Sequence, residues 1–371
     1  MCVGTRFTCR TMPTTRLGKT GFELSTPIGM GCWQLGGCWS SATDEATHKA
    51  ALAAYLAAGG NFLDTANVYG GEPGTPQFGW SERMVGEVLK ARAADAPRIY
   101  VATKAGRAPT SAAPNDHGPA SYTYEALSES LAGSAERIGV GKVDLLQLHC
   151  PPTSVLAKDS PVWDALERLK AEDRIAFYGV SVETVEEAML AIAQPGCATV
   201  QIIFNMLRLK PAAEFLQAAK AADVGTLIRL PLASGLLTGK CTREYIDGLD
   251  AGDHRRFNAA GAFFDKGETW SGLGECLTDV ALPAVDELKS VQSAAAARGE
   301  LHASTTMAQF ALRWCLDFEG ATIVIPGARN AEQSEANLGA AALSPFSVET
   351  HAAVRQIYEA RIQAIMEKER W

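Results

Sequence analysis

The chain has 371 residues, 47% hydrophobic and 20% charged, which supplies apolar surface for a large core and excludes a disordered protein. The formal net charge is −8 and the basic residues are scattered, so the clustered positive footprint of a nucleic-acid binder is missing. Nine cysteines, an odd number without CxxC pairs, argue against a disulfide framework or a zinc site and for a reducing compartment.

No run approaches the roughly 18 consecutive apolar residues of a membrane span, and the opening MCVGTRFTCR lacks a long apolar signal core. A cytoplasmic location without membrane or nucleic-acid partners is expected. The basic, acid-free run Met1 to Thr20 leaves open a short targeting piece, or Met12 as the true start; residues 1–13 are expected to form a poorly ordered extension of one domain spanning 1–371.

TTRLGKTGFELS alternates around Lys19-Thr20-Gly21 and reads as a β-hairpin placed to plug the bottom of a barrel. From Pro27 onward short apolar runs alternate with helical segments. Eight strands are expected, near 28–32, 61–64, 98–103, 143–149, 175–181, 199–204, 225–230 and 321–326. Each is nearly continuously apolar, as strands covered on both faces are. In the first crossing, Thr43 can cap, Asp44 and Glu45 fill the first turn, and Gly59-Gly60 stops the helix. An open doubly wound sheet is the competitor, but it should carry GxGxxG opening a helix after strand one, where GMGCWQLGG stands instead. The expected fold is therefore a (β/α)8 TIM barrel with an N-terminal β-hairpin, a Gly- and charge-rich insertion at about 240–279 after strand seven, and a C-terminal helix at about 348–368 capped by Ser347.

Such barrels carry their sites at the carboxyl ends of the strands. Asp64 ends strand two, Tyr69 follows in DTANVYG, Lys104 ends strand three in VATKAG, and His149 ends strand four in DLLQLHC. Singly, an Asp after a strand is usually a cap, a Tyr packing, a Lys solvated surface and a His a structural residue. Converging on one mouth they can reduce a carbonyl: a tyrosine of ordinary pKa near 10 is a sluggish acid, Lys104 would lower it, Asp64 would hold the ammonium charged, and His149 can hydrogen-bond the carbonyl oxygen. The other five histidines (His48, His117, His254, His302 and His351) have no partnered spacing and are expected at the surface. Nothing suggests a flavin, a metal or a redox thiol pair, so the hydride should come from a nicotinamide.

In order, strand and local motif, Asp64, Tyr69, Lys104 and His149 match the catalytic tetrad of the aldo-keto reductase superfamily, which the chain resembles over nearly its whole length. RLGKTGFELS, GWSERMVGEVL, QIIFN, PLASGLLTGK and IPGARNAEQSEAN carry the likeness further, to the longer bacterial and plant branch that is also similar to potassium-channel beta subunits. The resemblance implies an oxidoreductase transferring hydride from NADPH to an aldehyde or ketone, reversibly, with Tyr69 as general acid. The alternative it carries is a nicotinamide-binding regulatory subunit. Steroid double-bond reductases have glutamate where His149 stands, so histidine favours carbonyl chemistry.

By the same resemblance NADP(H) would lie across the mouth. Gly31, Cys32, Trp33 and Asp64 would adjoin it, Ser181 and Gln201 would bind its carboxamide, and Arg229 would stack on the ring. Pro231, Leu232, Gly235, Leu236, Thr238 and Lys240 would line the pyrophosphate. Gly327, Ala328, Arg329, Gln333 and Asn337 would hold the adenosine, where a helix N-terminus and the Arg329 fork suit a 2′-phosphate. Substrate would meet Trp33, Tyr69 and His149. Four positions depart from the pattern: Val182 replaces an asparagine, Arg229 an aromatic, Gly327 a lysine and Ala336 a glutamate, which leaves Arg329 to select NADP. Trp39, Trp80, Phe263, Phe264 and Trp270 are candidates for an aromatic substrate wall, and the glycines of 240–279 argue for a flexible cover over the cofactor. An oligomer is compatible with the sequence.

Overall fold

The computed structural model describes residues 14–36, 44–71, 75, 78–93, 96–108, 110–111, 118–249, 253, 255 and 280–368. The expectations for 1–13, Thr43 and most of 240–279 fall outside them. Two short strands, β1 (Thr15–Arg16) and β2 (Glu23–Leu24), pair antiparallel as the expected hairpin. Eight parallel strands follow: β3 (Met30–Gly31), β4 (Phe62–Asp64), β5 (Tyr100–Ala105), β6 (Val143–His149), β7 (Ile175–Ser181), β8 (Cys197–Ile203), β9 (Gly225–Arg229) and β10 (Ile323–Val324). Each lies within a few residues of its expected place. The first and last strands also meet: Ile28 bridges Val324 and Gly31 bridges Gly327, with Gly31 N donating to Pro326 O at 2.9 Å. The sheet thereby curls into a barrel.

Helices fill the crossings, among them α1 (Glu45–Ala57), α2 (Trp80–Lys90) and α3 (Tyr124–Ile138). The α1 cap is Asp44, whose carboxylate accepts from Thr47 N at 2.7 Å, rather than Thr43. Both Ser/Thr and Asp suit this position, and the helix simply begins one residue later than the sequence suggests. At the other end Gly59 adopts a left-handed φ of 92°, as the expected stop requires. The segment after β10 enters a helix at Ala331–Gly339, which packs on α1; there Ser334 Oγ donates to Ala51 O at 2.8 Å. Ser347 caps the C-terminal helix as expected, but the run is divided into Val348–Ile357 and Gln363–Lys368 by a wider π turn at Tyr358–Ile362.

Strand alternation sorts the barrel interior into layers. Phe62, Ala102, Leu145, Leu227, Ile323 and Ile325 form one buried cluster with Leu17, Phe22 and Leu24 of the hairpin, so the hairpin does close the floor. Two residues further along β4, β5, β6 and β9 the same face carries Asp64, Lys104, Gln147 and Arg229. Apolar floor and polar mouth therefore follow from a period of two.

The hairpin sits against the barrel through a glycine. Gly18 has φ +48°, and a Cβ there would lie 2.2 Å from Gly225 N. Gly18→Ala combines left-handed strain with a backbone clash. It is expected to lower stability by about 2 kcal/mol or more, read as a reduced midpoint in equilibrium urea unfolding; an unchanged midpoint would mean the hairpin does not seal the floor.

Candidate active site

At the centre of the mouth is a buried ion pair. Lys104 Nζ donates to Asp64 Oδ2 at 2.6 Å, to Thr65 O at 3.0 Å and to the Tyr69 hydroxyl at 3.0 Å, and both charged side chains are almost wholly buried. The second carboxylate oxygen, Oδ1, accepts from Gln147 Nε2 at 2.9 Å and Gln201 Nε2 at 2.8 Å, while Gln201 also donates to Gln147 Oε1 at 3.1 Å. Every strong donor around Asp64 is thus accounted for on one carboxylate.

Tyr69 lies on the turn after β4, half-buried. Its backbone carbonyl accepts from Ser81 N at 3.0 Å, and the Ser81 hydroxyl donates to Cys32 O at 2.7 Å and shares a hydrogen bond with Thr65 Oγ1 at 2.8 Å. The His149 ring meets the Tyr69 ring edge-on with centroids 6.0 Å apart, and the Trp33 ring lies 6.4 Å from the Tyr69 ring. The four tetrad residues and Trp33 are therefore together, around the phenol.

Burial is the largest influence on Tyr69 and raises its pKa; Asp64 adds to this, while the charge and hydrogen bond of Lys104 and the charge of Arg229 pull it down. The net direction is upward, which corrects the expectation that Lys104 makes the phenol more acidic than usual. Lys104 moderates a cost set by desolvation. For Lys104 itself burial disfavours the ammonium, but Asp64 and Tyr69 outweigh it and its pKa is raised, so the charge is held as expected.

The remaining candidate residues lie near or beyond the carboxyl ends of the barrel strands. Ser181 and Gln201 are register partners at the ends of β7 and β8, and Ser181 pairs in turn with His149. Arg229 at the end of β9 donates to Val182 O at 3.2 Å. Cys32 N donates to Asp64 O at 2.8 Å, and at Gly31 an added Cβ would meet Ile325 O at 2.8 Å, so only glycine fits between the first and last strands. In the 231–240 segment Ala233, Ser234 and Gly235 take left-handed φ values, Thr238 Oγ1 donates to Gly235 O at 2.7 Å, and Lys240 is exposed beyond Gly239; Pro231, Leu232 and Leu236 frame this turn. Around Arg329, Gln333 Oε1 accepts from Arg329 N at 2.9 Å and Asn337 Nδ2 donates to Gly327 O at 3.2 Å, so both brace the 327–329 loop, with Ala328 buried beneath it. Trp80 opens α2, half-buried; Trp39, Phe263, Phe264 and Trp270 lie outside the described residues.

Three features went unread in the sequence. Gln147 is fully buried against Asp64; as the residue two before His149 it shares the inward face, which was the available signal. Glu82, fully buried, accepts from Thr103 Oγ1 at 2.5 Å and Arg137 Nε at 2.7 Å, tying α2 and α3 to the strand that carries Lys104. Two histidines expected at the surface are not there: His48 is 2% exposed, and His351 is half-buried with Nε2 3.0 Å from Asp317 Oδ2. His302 is exposed, its Nδ1 2.6 Å from Ser304 Oγ, while His117 and His254 lie outside the described residues.

The mouth of this parallel barrel thus brings together a phenol, an ammonium, a carboxylate and an imidazole, groups able to hold and move protons. The sequence profile of the Aldo/keto reductase family matches residues 27–359, and the chain belongs to that family. It is 28% identical to the aldo-keto reductase YhdN of Bacillus subtilis (strain 168) over 88% of this chain and 87% of that protein. It is likewise 28% identical to a probable voltage-gated potassium channel subunit beta of Oryza sativa subsp. japonica, over 89% of this chain and 91% of that protein. Among solved structures, the glycerol dehydrogenase of Gluconobacter oxydans shares the fold with a TM-score of 0.69 at 24% identity, covering 94% of this chain and 96% of its own.

Lys104→Met leaves the Asp64 carboxylate buried without its cation. A loss of about 3 kcal/mol or more is expected, with ionisation of Tyr69 moving to still higher pH. Denaturant unfolding, and phenolate absorbance titrated against a Tyr69→Phe reference, check the two effects; a downward shift of the tyrosine would contradict the electrostatic account.

Proposed function

We propose that the protein reduces an aldehyde or ketone with NADPH, Tyr69 acting as general acid. The observation that carries this reading is Lys104 Nζ, 2.6 Å from Asp64 and 3.0 Å from the Tyr69 hydroxyl at once. A phenol whose pKa is raised stays protonated and ready to give its proton. The phenolate left behind is hydrogen-bonded to an ammonium that cannot leave, because Asp64 holds it. His149, facing Tyr69, donates to the substrate's carbonyl oxygen and stabilises the negative charge that grows there. Run backwards, the same groups remove a proton from an alcohol.

The residues fit a nicotinamide dinucleotide. Arg329 is half-buried beside the capped N-terminus of the helix Ala331–Gly339 and makes no ion pair among the described residues, which leaves its guanidinium for a phosphate. When bound, that cofactor supplies the hydride. Ser181 would hold its carboxamide, Gly31, Cys32 and Trp33 would border the ring, and Arg229 offers a planar surface to stack on it. Pro231, Leu232, Gly235, Leu236, Thr238 and Lys240 would follow the pyrophosphate, and Gly327, Ala328, Gln333 and Asn337 the adenosine. Gln201, whose amide nitrogen already serves Asp64 and Gln147, would meet the carboxamide through its remaining oxygen.

With 4-nitrobenzaldehyde and NADPH, Tyr69→Phe should lose turnover on the order of a hundredfold or more while NADPH affinity stays within about twofold. Retention of a tenth of the activity would remove Tyr69 as the acid. Absence of turnover in the unmodified protein, with cofactor bound, would instead favour the regulatory-subunit reading that the rice relative brings with it. Arg329→Ala should weaken NADPH by about 2 kcal/mol and NADH far less, measured by fluorescence titration; equal losses would exclude a contact to the 2′-phosphate.

A further inference from the structure

His48 sits on the second turn of α1, buried, and its Nε2 has no hydrogen-bond partner among the described residues. An orphaned buried polar atom of this kind is unfavourable and uncommon in native proteins. A second one lies nearby in the fold. The Gln34 side-chain oxygen is also buried and unpartnered, and its amide lies against Gly327, where an added Cβ would come within 3.1 Å of Gln34 Cδ. Ala328 packs in one buried cluster with Ala51 and Leu52, the turn of α1 that follows His48, so the helix carrying the imidazole lies against the 327–329 loop. Burial disfavours protonation of the imidazole most, the Asp44 carboxylate at the helix cap opposes it, and the Arg329 guanidinium adds a smaller push against the charge, so the His48 pKa is lowered. The neutral form that burial favours carries one donor and one acceptor.

We propose that His48 is a specificity-determining contact for the 2′-phosphate of NADP(H), its Nε2–H joining the Arg329 guanidinium on the phosphate while Gln34 Oε1 accepts from the adenosine moiety. The proposal rests on the nicotinamide reading above and adds a residue to it. A phosphate supplies the acceptor that Nε2–H lacks, and the adenosine offers the donors that Gln34 lacks. NAD(H), with a hydroxyl in place of the phosphate, has no charged group for either cation or imidazole. Both atoms are shielded from solvent in this structure, so the side chains around them would have to adjust to admit the phosphate, while Gln333 and Asn337 brace the 327–329 loop.

Calorimetric titration of His48→Leu, His48→Gln and Arg329→Ala with NADP+, NAD+, 2′,5′-ADP and 5′-AMP tests this. His48→Leu should weaken NADP+ and 2′,5′-ADP roughly tenfold and leave NAD+ and 5′-AMP within about twofold, and His48→Gln, which restores a donor, should recover most of the loss. If the leucine variant does not fold, His48→Asn, too short to reach, should show the same selective loss. Equal weakening of all four ligands, or no weakening with a higher unfolding midpoint, would make His48 a buried packing residue and overturn the proposal. Should Arg329→Ala separate the phosphorylated from the unphosphorylated ligands while His48→Leu does not, only the role of His48 falls; should neither variant separate them, the adenosine assignment itself falls.

Discussion

The buried pair Asp64–Lys104 is the constraint around which the site is arranged. Taking two charges out of water is expensive, and their attraction offsets the cost only when the remaining lone pairs and protons are also satisfied. Here they are. The ammonium has three acceptors, Asp64 Oδ2, Thr65 O and the Tyr69 hydroxyl, and the other carboxylate oxygen has two amide donors from Gln147 and Gln201. Replaced by apolar side chains, this layer would pack without desolvating any charge, so stability is a poor reason for its presence. What the pair provides is a fixed positive charge 3.0 Å from a phenol that burial would otherwise hold inert.

That arrangement needs a barrel with two kinds of interior. A closed parallel sheet turns alternate residues of every strand inward, and here the inward set changes character between one layer and the next, from Phe62, Ala102, Leu145 and Leu227 to Asp64, Lys104, Gln147 and Arg229. The apolar layer, sealed below by Leu17, Phe22 and Leu24, keeps water from reaching the ion pair from beneath. The low dielectric strengthens each polar contact above it and makes each one indispensable. Cys32 shares that environment: burial pushes its thiol far up, so it packs as a small apolar group beside Asp64.

Strand positions and the tetrad were legible because both follow from short-range patterns, continuous apolar runs and polar residues just past them. The expected β6 and β7 agree with the structure to the residue. The amide clamp was not, because Gln147 and Gln201 stand 83 and 137 residues from Asp64 in the chain and a glutamine inside an apolar strand carries no local sign of its partner. The acidity of Tyr69 was misjudged for a related reason: the sequence displays the nearby lysine but not the burial that outweighs it. His48 escaped notice because a helical histidine among alanines looks like surface until the partner helix, drawn from nearly 300 residues further on, is in place.

A side chain on a turn would normally be mobile, since loops carry few buried contacts. Tyr69 is held by the first turn of α2 instead. Ser81 N fixes the tyrosine's own carbonyl, and the Ser81 hydroxyl reaches Cys32 O and Thr65 Oγ1, which joins the turn to β4 and to the segment after β3. The next residue, Glu82, is anchored to Thr103, the neighbour of Lys104, and to Arg137 of α3. Two consecutive residues on one helix thus tie the Tyr69 turn to the strand that bears Lys104 from outside the barrel, while Lys104 itself bridges the two from inside. Positioning of this kind from both faces holds the phenol and the ammonium in register without adding another charged group to the mouth.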